Sequence, residues 1–304
     1  MRVHLSRGDI HLGWDNSIEP RATIAPGGEI ELDLLEASGG QLAPSSEASD
    51  LLALDGTRLN PVTGPIRVDG ARPGDALVIS FLELDVDEWG WSGVLPGFGL
   101  LAADFPEPYL AVSRIVGGVV RLPFGVELPA VSMIGTIGVE LPEAGQHSVI
   151  PPRRFGGNLD IRHLTAGATL TLPVGVEGAL LSVGDAHAAM GDGEVCGTGV
   201  ETNARTRLRI QVVPGASPAF PRFTTHPASD RVGATIAATG IGPSLEAAAR
   251  DATRGLIDEI VARSRLAPVE AYVLASVAGD LKISEIVDLP NYVVSAHLPL
   301  SVLD

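Results

Sequence analysis

Cysteine and long apolar runs are scarce in this chain of 304 residues. The single cysteine, Cys196, excludes a disulfide within the chain and a zinc site built from several cysteines. No apolar run approaches the ~18–20 residues that a membrane-spanning helix needs, and the first residues lack the apolar stretch of a secretion signal. The sequence therefore predicts a cytoplasmic protein with no membrane association.

Positively charged residues are also few. The 21 lysine and arginine residues face 37 aspartate and glutamate residues, which gives a formal charge of −16. Lys282 is the only lysine. Because a strongly negative protein repels nucleic-acid phosphates and anionic lipid, we expect neither a nucleic-acid partner nor a membrane partner. The 45% of apolar residues predicts a globular protein with a large core.

Glycine and proline are abundant and divide the chain into short segments, which is typical of strands joined by turns. Residues 29–34 alternate apolar and acidic side chains with the period of two of a half-buried strand. Further strand-like segments are residues 76–84, 167–173, 179–184 and 206–212. They predict a mainly β fold, with a β-sandwich (jelly-roll-like) in residues 1–213 that carries the candidate site.

Helical patterning is found only near the end of the chain. Ser244 is suited to cap a helix in which apolar residues recur at three- and four-residue steps for about five turns. Pro268 suits the first turn of a second helix that runs to about Val277, and residues 281–300 return to strand character. Residues 214–304 are thus predicted to form a smaller C-terminal α+β portion on the same core, with an irregular crossover at 214–230.

The segment 184–201 contains the most informative polar residues. Asp185 and His187 follow an apolar strand and share one face if the chain stays extended, and a Gly-Asp-Gly-Glu turn adds Asp192 and Glu194. Carboxylates with an imidazole suit zinc or a similar metal, whereas carboxylates alone suit calcium. The alternative is a solvated loop held by its own hydrogen bonds.

Two other segments contain candidate residues. Asn158 and Asp160 follow paired glycines, which let the backbone approach a ligand, although a turn held by Asx hydrogen bonds is the simpler interpretation. Lys282 lies in the segment 278–288 of a chain that otherwise uses arginine, which hints at a need for a compact ammonium group. A lysine on a solvated face explains that position at least as well.

Short motifs form an ordered set along most of the chain, beginning with Gly-Trp-Asp-Asn-Ser at 13–17. The set comprises residues 13–17, 60–66, 70–75, 89–91, 96–101, 156–160, 184–201 and 280–288. Together these motifs resemble those of the acetamidase/formamidase family of amide hydrolases. The resemblance implies a sandwich-like β fold, hydrolysis of a small amide such as formamide or acetamide to ammonia and the acid, a bound divalent metal, and a homo-oligomer, with a dimer favoured.

Three positions depart from the family pattern. Phe155 stands where a histidine is common, Met190 where a glutamine is common, and Glu140 where a small residue is usual. Phe155 and Met190 would make the pocket more apolar, which predicts either a larger amide as substrate or a lost activity.

Amide hydrolysis needs an activated water, a stabiliser for the oxyanion and an acid for the leaving nitrogen, and one metal can supply the first two. The residues assigned to this metal, with zinc preferred to calcium, are Asp160, Asp185 and His187. Glu194 would carry the proton from water to the leaving nitrogen. Asn158 and Asp192 would orient the substrate or the metal ligands.

Two other functions stay open from the sequence. Cys196 could act as a nucleophile supported by Lys282 and by Glu194 or Glu201, as in amidases of an unrelated fold. Inactivation by a thiol alkylator but not by a chelator would favour this route. Alternatively, the protein is a non-catalytic, metal-stabilised β-sandwich that binds a small ligand or serves as an assembly subunit, and a ligand would then raise its thermal stability without release of ammonia.

Overall fold

Short strands dominate the computed structural model, which describes residues 3–227 and 233–303. The strands are β1 (Val3–Leu5), β2 (Ile10–His11), β3 (Ala22–Ile24), β4 (Glu29–Leu34), β5 (Val62–Val68), β6 (Ala76–Val86), β7 (Trp89–Val94), β8 (Tyr109–Val116), β9 (Val119–Arg121), β10 (Glu127–Pro129), β11 (Met133–Val139), β12 (Gly156–Asn158), β13 (Thr169–Pro173), β14 (Leu181–His187), β15 (Glu201–Thr202), β16 (Ala204–Val213), β17 (Arg222–Thr224), β18 (Thr235–Gly242), β19 (Asp280–Glu285) and β20 (Tyr292–Pro299). The helices are α1 (Ala48–Leu51), α2 (Leu245–Arg263) and α3 (Pro268–Ala278), with 3-10 turns at Gly56–Arg58 and Leu300–Val302.

Two sheets contain these strands. The first has nine strands in the order β1-β4-β16-β6-β13-β17-β18-β20-β19. The second follows β10-β9-β8-β7-β15-β14-β11-β12, and β5, which pairs with β14, attaches β2 and β3 to it. Apolar side chains of both sheets belong to one buried cluster, for example Leu32, Phe81, Ile134 and Val183. The prediction of a mainly β fold is confirmed, with two sheets on a common core.

The alternation predicted for residues 29–34 is present in β4. Ile30, Leu32 and Leu34 are buried, whereas the acidic residues between them lie on the other face. On that face, the carboxylate of Glu29 lies 2.9 Å from the guanidinium of Arg207 on the neighbouring strand β16. Because side chains alternate between the two faces of a strand, one short segment supplies both core and ion pairs.

The two long helices begin at the residues that the sequence predicts. Ser244 caps α2, since its Oγ accepts a hydrogen bond from the amide of Ala247 at 3.4 Å, and Pro268 opens α3. The buried residues of α2 recur every four positions at Ala248, Ala252, Leu256 and Ile260. They pack in one cluster with apolar residues of β18 and β20. In the described ranges, no helix combines the length and the apolar character needed to cross a membrane.

The strands after residue 213 extend the first sheet instead of forming a sheet of their own. β17 pairs with β13, and β18, β20 and β19 follow outward to the edge. We propose on this basis that residues 1–213 and 214–304 share one core. The segment 214–230 is not wholly irregular as predicted, because β17 lies within it; residues 228–230 lie outside the described residues. This three-residue strand with one buried side chain, Phe223, is too short to show a period.

Candidate active site

Buried acidic side chains gather around β15, β14, β11 and β12, which are neighbours in the second sheet. This acidic group consists of one histidine, His187, and six carboxylic acids: Asp160, Asp185, Glu194, Glu201, Glu285 and Asp288. Asp160 follows β12, β14 ends with Asp185 and His187, β15 begins at Glu201, and β19 ends at Glu285. All seven are buried, although ionisable side chains are almost never fully buried unless they are paired. The fold therefore concentrates negative charge at one point of its interior.

His187 is the positive centre of this group. Its Nε2 atom lies 2.9 Å from the carboxylate of Glu201 and 3.6 Å from carboxylate oxygens of both Asp185 and Glu194. Its Nδ1 atom lies 2.8 Å from the sulfur of Met133. Burial by itself lowers the pKa of His187, but the charges of Glu201, Asp185 and Glu194 raise this pKa to about 10. The surroundings of Nε2 thus strongly favour a positive charge, either a proton or a metal ion.

Asp160 is the acidic residue most in need of a partner. It is fully buried, and no donor among the described residues hydrogen-bonds either of its carboxylate oxygens. Burial, followed by the charges of Glu194 and Asp185, raises the pKa of Asp160 well above its usual value. A carboxylate in this position costs several kcal/mol unless it is neutralised. The site therefore calls for a cation or a bound proton beside Asp160.

Two overlapping sets of donor atoms fit a divalent metal. One set is Asp160, His187 and Glu194, and the other is Asp185, His187 and Glu201. Within each set, the donor atoms lie within 4.8 Å of one another. Carboxylate oxygens with one imidazole nitrogen are a donor set that suits zinc and similar metals. The chemistry of the residues is therefore compatible with the metal that the family resemblance implies.

The backbone around the site is strained. Asp160, Asp185 and Glu194 have φ angles of 43°, 56° and 43°, in the left-handed region, which costs each residue about 1–3 kcal/mol. Asn60, which also borders the site, has a φ of 50°. Strain of this kind persists only where the surrounding structure enforces it, and it concentrates at functional sites. Two further non-glycine residues with a positive φ, Ala179 and Leu180, lie outside the acidic group, but the other four described ones are all at the site.

A glycine in β11 makes room for two of the carboxylates. A Cβ atom built on Gly135 would lie 2.6 Å from a carboxylate oxygen of Asp185, and closer still to one of Asp160. Since real Cβ atoms essentially never approach so closely, no other residue fits here without moving these acids. The absence of a side chain at Gly135 thus leaves the space that the carboxylates of Asp160 and Asp185 occupy.

The loop that carries Glu194 is tied to the edge of the other sheet. The amide of Gly193 donates a hydrogen bond to the carbonyl of Ser284 at 2.9 Å, and Gly193 forms an isolated parallel bridge with Glu285. The carboxylate of Glu285 in turn accepts hydrogen bonds from the amides of Val287 and Asp288. Through this connection, residues near the end of the chain fix the position of Glu194.

Asn158 is held in place by three side chains. Its Nδ2 donates to the carboxylate of Asp288 at 2.5 Å, while its Oδ1 accepts hydrogen bonds from Asn60 at 3.1 Å and from the hydroxyl of Thr136. All four residues are buried. Both polar atoms of the Asn158 side chain have partners, so its amide has one orientation in the site, although the Oδ1 of Asn60 has no hydrogen-bond partner among the described residues.

A small cavity of about 90 Å³ opens onto the acidic group. Its polar side is formed by Asn60, Asn158, Asp185, Glu194, Glu201 and Asp288. Its apolar side is formed by Leu54, Leu59, Trp91, Leu95, Phe98 and Ile150. A cavity with one charged wall and one apolar wall can hold a small molecule with a polar head and a short aliphatic tail.

The structure brings six of the predicted site residues together: Asn158, Asp160, Asp185, His187, Glu194 and Glu201. It places Asp192, Cys196 and Lys282 outside the cavity lining. Asp192 pairs with Arg162 at 2.9 Å, Cys196 Sγ lies 3.4 Å from the carbonyl of Thr198, and Lys282 Nζ lies 3.2 Å from His163 Nε2. Gly193, Glu194 and Gly197 all have positive φ angles, so the chain turns here and alternate residues no longer share a face.

The positions that depart from the family pattern also lie away from the cavity. Phe155 packs on the main core, and Met190 lines a larger groove of about 610 Å³ that adjoins the cavity, since Glu194 and Thr198 border both. Neither Phe155 nor Met190 borders the cavity of about 90 Å³ itself, and their effect on the substrate stays a prediction. Glu140 is buried at the end of β11, outside the acidic group.

Sequence reasoning missed Glu285, Asp288, Asn60 and Thr136. Glu285 and Asp288 lie in the segment that was selected for Lys282, and they flank the apolar pair Ile286-Val287. Acidic residues on both sides of apolar ones at the end of a strand were the available signal. For Asn60, the only signal was its place at the start of a matching motif, and for Thr136, inside an apolar strand, there was none.

Comparison with known proteins gives consistent matches over the whole chain. The model of the acetamidase/formamidase family matches residues 2–146 and 142–304. An acetamidase of Mycolicibacterium smegmatis is 29% identical over 281 residues, covering 71% of this chain and 69% of that protein. A formamidase of Methylophilus methylotrophus is 29% identical over 247 residues, covering 62% of this chain and 61% of that protein. The crystal structure of a predicted acetamidase/formamidase from Thermoanaerobacter tengcongensis has a TM-score of 0.90 and 31% identity, covering 100% of this chain and 97% of that one.

Proposed function

Since the chain belongs to the acetamidase/formamidase family and is thus an amidase-type hydrolase, we propose that it hydrolyses a small aliphatic amide, such as formamide or acetamide, to ammonia and the carboxylic acid with the help of a divalent metal. The observation that carries the proposal is the acidic group around His187, which opens onto a cavity of only about 90 Å³. The charged wall suits the amide group and the apolar wall suits a short acyl chain.

The residues that would hold the metal are Asp160, Asp185 and His187, each of which belongs to at least one of the two overlapping donor sets, and Glu201 would complete the second set. We propose zinc in preference to calcium, because an imidazole nitrogen is among the donors. A bound zinc ion lowers the pKa of a water molecule to about 7 and polarises a carbonyl group.

Glu194 is the proposed proton carrier. Burial raises the pKa of its carboxyl well above the usual value, although the neighbouring His187 acts in the opposite direction. A carboxyl group with a raised pKa is a stronger proton acceptor than an ordinary carboxylate, so it can take a proton from water and return it to a leaving group. In the proposed reaction, Glu194 accepts a proton from the attacking water and delivers it to the amide nitrogen, which leaves as ammonia while the hydroxyl group stays on the acyl carbon.

Asn158 and Asp288 are the proposed positioning residues for the amide group. Asn158 is fixed by Asn60 and Thr136, and its amide is held against the Asp288 carboxylate. Both border the cavity beside Glu194. A substrate amide presented to this rigid polar wall would keep its nitrogen within reach of the proton carrier.

Ammonia release from a panel of short amides, measured with and without a chelator, tests the proposal. We expect activity that is lost with the chelator and restored by zinc. His187→Ala should lose both bound metal and activity, while His4→Ala, which removes an exposed histidine, should keep both. Full metal content and full activity in His187→Ala would overturn the metal-dependent mechanism.

The Cys196 route receives less support. Within residues 3–227 and 233–303, the hydrogen-bond contacts of the Cys196 Sγ atom are with Thr198, and Cys196 does not border the cavity of about 90 Å³. We expect Cys196→Ser to retain activity.

We further propose a cytoplasmic homo-oligomer, with a dimer favoured. Exposed apolar side chains on α3, namely Val269, Tyr272, Val273 and Val277, support self-association because large apolar patches are uncommon on monomers. Light scattering after size-exclusion chromatography measures the state directly.

A further inference from the structure

Phe98 lies at the apolar end of the cavity, on the loop that joins β7 to β8. Its ring packs against Gly197, since a Cβ atom built there would overlap the ring of Phe98. Gly197 itself lies three residues after Glu194, on the loop that carries the proposed proton carrier. Phe98 therefore belongs to the apolar lining of the cavity and also contacts the loop of Glu194.

The Phe98 loop is fastened to the loop of Glu194 at further points. The amide of Leu100 donates a hydrogen bond to the carbonyl of Val195 at 2.9 Å. A Cβ atom built on Gly99 would lie 2.7 Å from the carbonyl oxygen of Cys196, so the two backbones are in close contact there. These contacts hold the backbone of the Phe98 loop against the backbone of the Glu194 loop.

The size of the cavity makes the position of Phe98 decisive. A volume of about 90 Å³ is well below the roughly 300–1,000 Å³ of pockets that hold drug-sized ligands. The cavity therefore favours a small amide over a long one. A longer acyl chain would have to displace the apolar wall, of which Phe98 is the largest member on a loop.

We propose that Phe98 determines the acyl chain length that this protein accepts, by closing the end of the cavity behind a one- or two-carbon acyl group. This rests on the proposed amide hydrolysis and names its substrate class: formamide and acetamide are accepted, and butyramide and longer amides are excluded. One methylene in an apolar pocket discriminates by about 10–200-fold. A steep fall in kcat/KM between acetamide and butyramide follows.

The test is kcat/KM for formamide, acetamide, propionamide, butyramide and valeramide in the zinc-loaded wild type, Phe98→Leu and Phe98→Ala. In Phe98→Ala we expect the value for butyramide to rise at least tenfold while that for acetamide falls, with Phe98→Leu between. Phe105→Ala is the matched control, because Phe105 lies on the same loop, is 58% exposed and does not border the cavity. It should leave the whole series unchanged.

A general loss of structure cannot raise activity on a longer substrate, so the crossover separates a specificity role from a merely structural one. If Phe98→Ala changes all five amides by the same factor, the proposal is wrong and the ring only supports the loop.

The same five amides are also measured as ligands, by the shift they cause in thermal unfolding. If the wild type hydrolyses none of them but the longest stabilising amide still becomes longer in Phe98→Ala, the hydrolysis proposal fails and the role of Phe98 stands. If neither activity nor stabilisation changes along the series, the role of Phe98 is refuted as well.

Discussion

The Nε2 atom of His187 lies 2.9 Å from the carboxylate of Glu201, in a place where both groups are buried. The other ring nitrogen faces the sulfur of Met133, so the proton or metal that the site attracts must be held at Nε2. Since the acidic neighbours raise the pKa of His187 to about 10, the metal-free site retains a proton at neutral pH. If the proposed metal binds here, its uptake releases that proton, so we expect the metal affinity to rise with pH.

Glu201→Gln tests this relationship while keeping the shape of the side chain. It removes the negative charge that contributes most to the raised pKa of His187. We expect zinc affinity to fall at least tenfold and ammonia release to fall with it. Titration with zinc and elemental analysis measure the first effect. Glu177→Gln, an exposed glutamate that pairs with Arg67, is the control, and equal zinc affinity in the two variants would contradict the assignment.

Gly135→Ala should displace the carboxylates of the site. The added methyl group needs the space now taken by the carboxylates of Asp160 and Asp185. We expect loss of bound metal and at least a tenfold loss of activity, since misplacement of reacting groups by about 1 Å can cost ~100-fold. In Gly56→Ala, the new methyl meets open space, so metal content and rate should match the wild type. A metal-loaded, active Gly135→Ala protein would show that the acids can move freely.

Removal of the metal should destabilise the protein more at high pH than at low pH. Without a cation, burial raises the pKa of Glu201 and Asp288 to about 7 and that of Glu285 to about 8. Carboxyl groups with raised pKa stabilise the folded state at low pH, and that contribution is lost as the pH rises through about 7–8. The Tm difference between zinc-loaded and chelator-treated protein should therefore grow from pH 6 to pH 8.5. An equal difference at both pH values would argue against a cation in this group.

Glu140 makes a separate contribution to the pH dependence of stability. Burial raises its pKa to about 7, and the charge of Asp15 acts in the same direction. Stability from this group is complete below the unfolded pKa of about 4.3 and is lost as the pH rises to about 7. At pH 8, Glu140→Gln should therefore unfold at a higher urea concentration, with a gain of up to about 3–4 kcal/mol.

The gain in Glu140→Gln should vanish at pH 4. Glu143→Gln, an exposed neighbour on the same segment, should change stability at neither pH. If Glu140→Gln and the wild type unfold alike at pH 8, the folded protein tolerates the buried charge.

Local patterns in the sequence are sufficient for much of the fold. The alternation in β4 and the four-residue spacing in α2 predict these elements because each reports which face is buried. The strand β17 could not be predicted, because three residues are too few to show a hydrophobic period. The order of strands in the sheets depends on pairing between distant segments, which no local pattern encodes.

In the candidate site, too, residues that are close in sequence could be predicted and distant ones could not. Asp185, His187 and Glu194 are close in sequence, so one motif suggests all three. Glu285 and Asp288 join the site because Gly193 pairs with Glu285, more than ninety residues later in the chain. Glu285 ends β19, and Asp288 follows it. Cys196 was selected for its chemistry, but the positive φ of Gly197 beside it belongs to a turn that sequence reasoning did not foresee.

The hydrogen bond between Gly193 and Ser284 also bears on how the protein is made. Asn60 precedes Asp288 by more than two hundred residues, yet both border one cavity. A nascent chain that still lacks β19 has no partner for the backbone of Gly193, and the loop of Glu194 is then not held in place. The polar wall of the cavity is therefore assembled only after Asp288 has been synthesised.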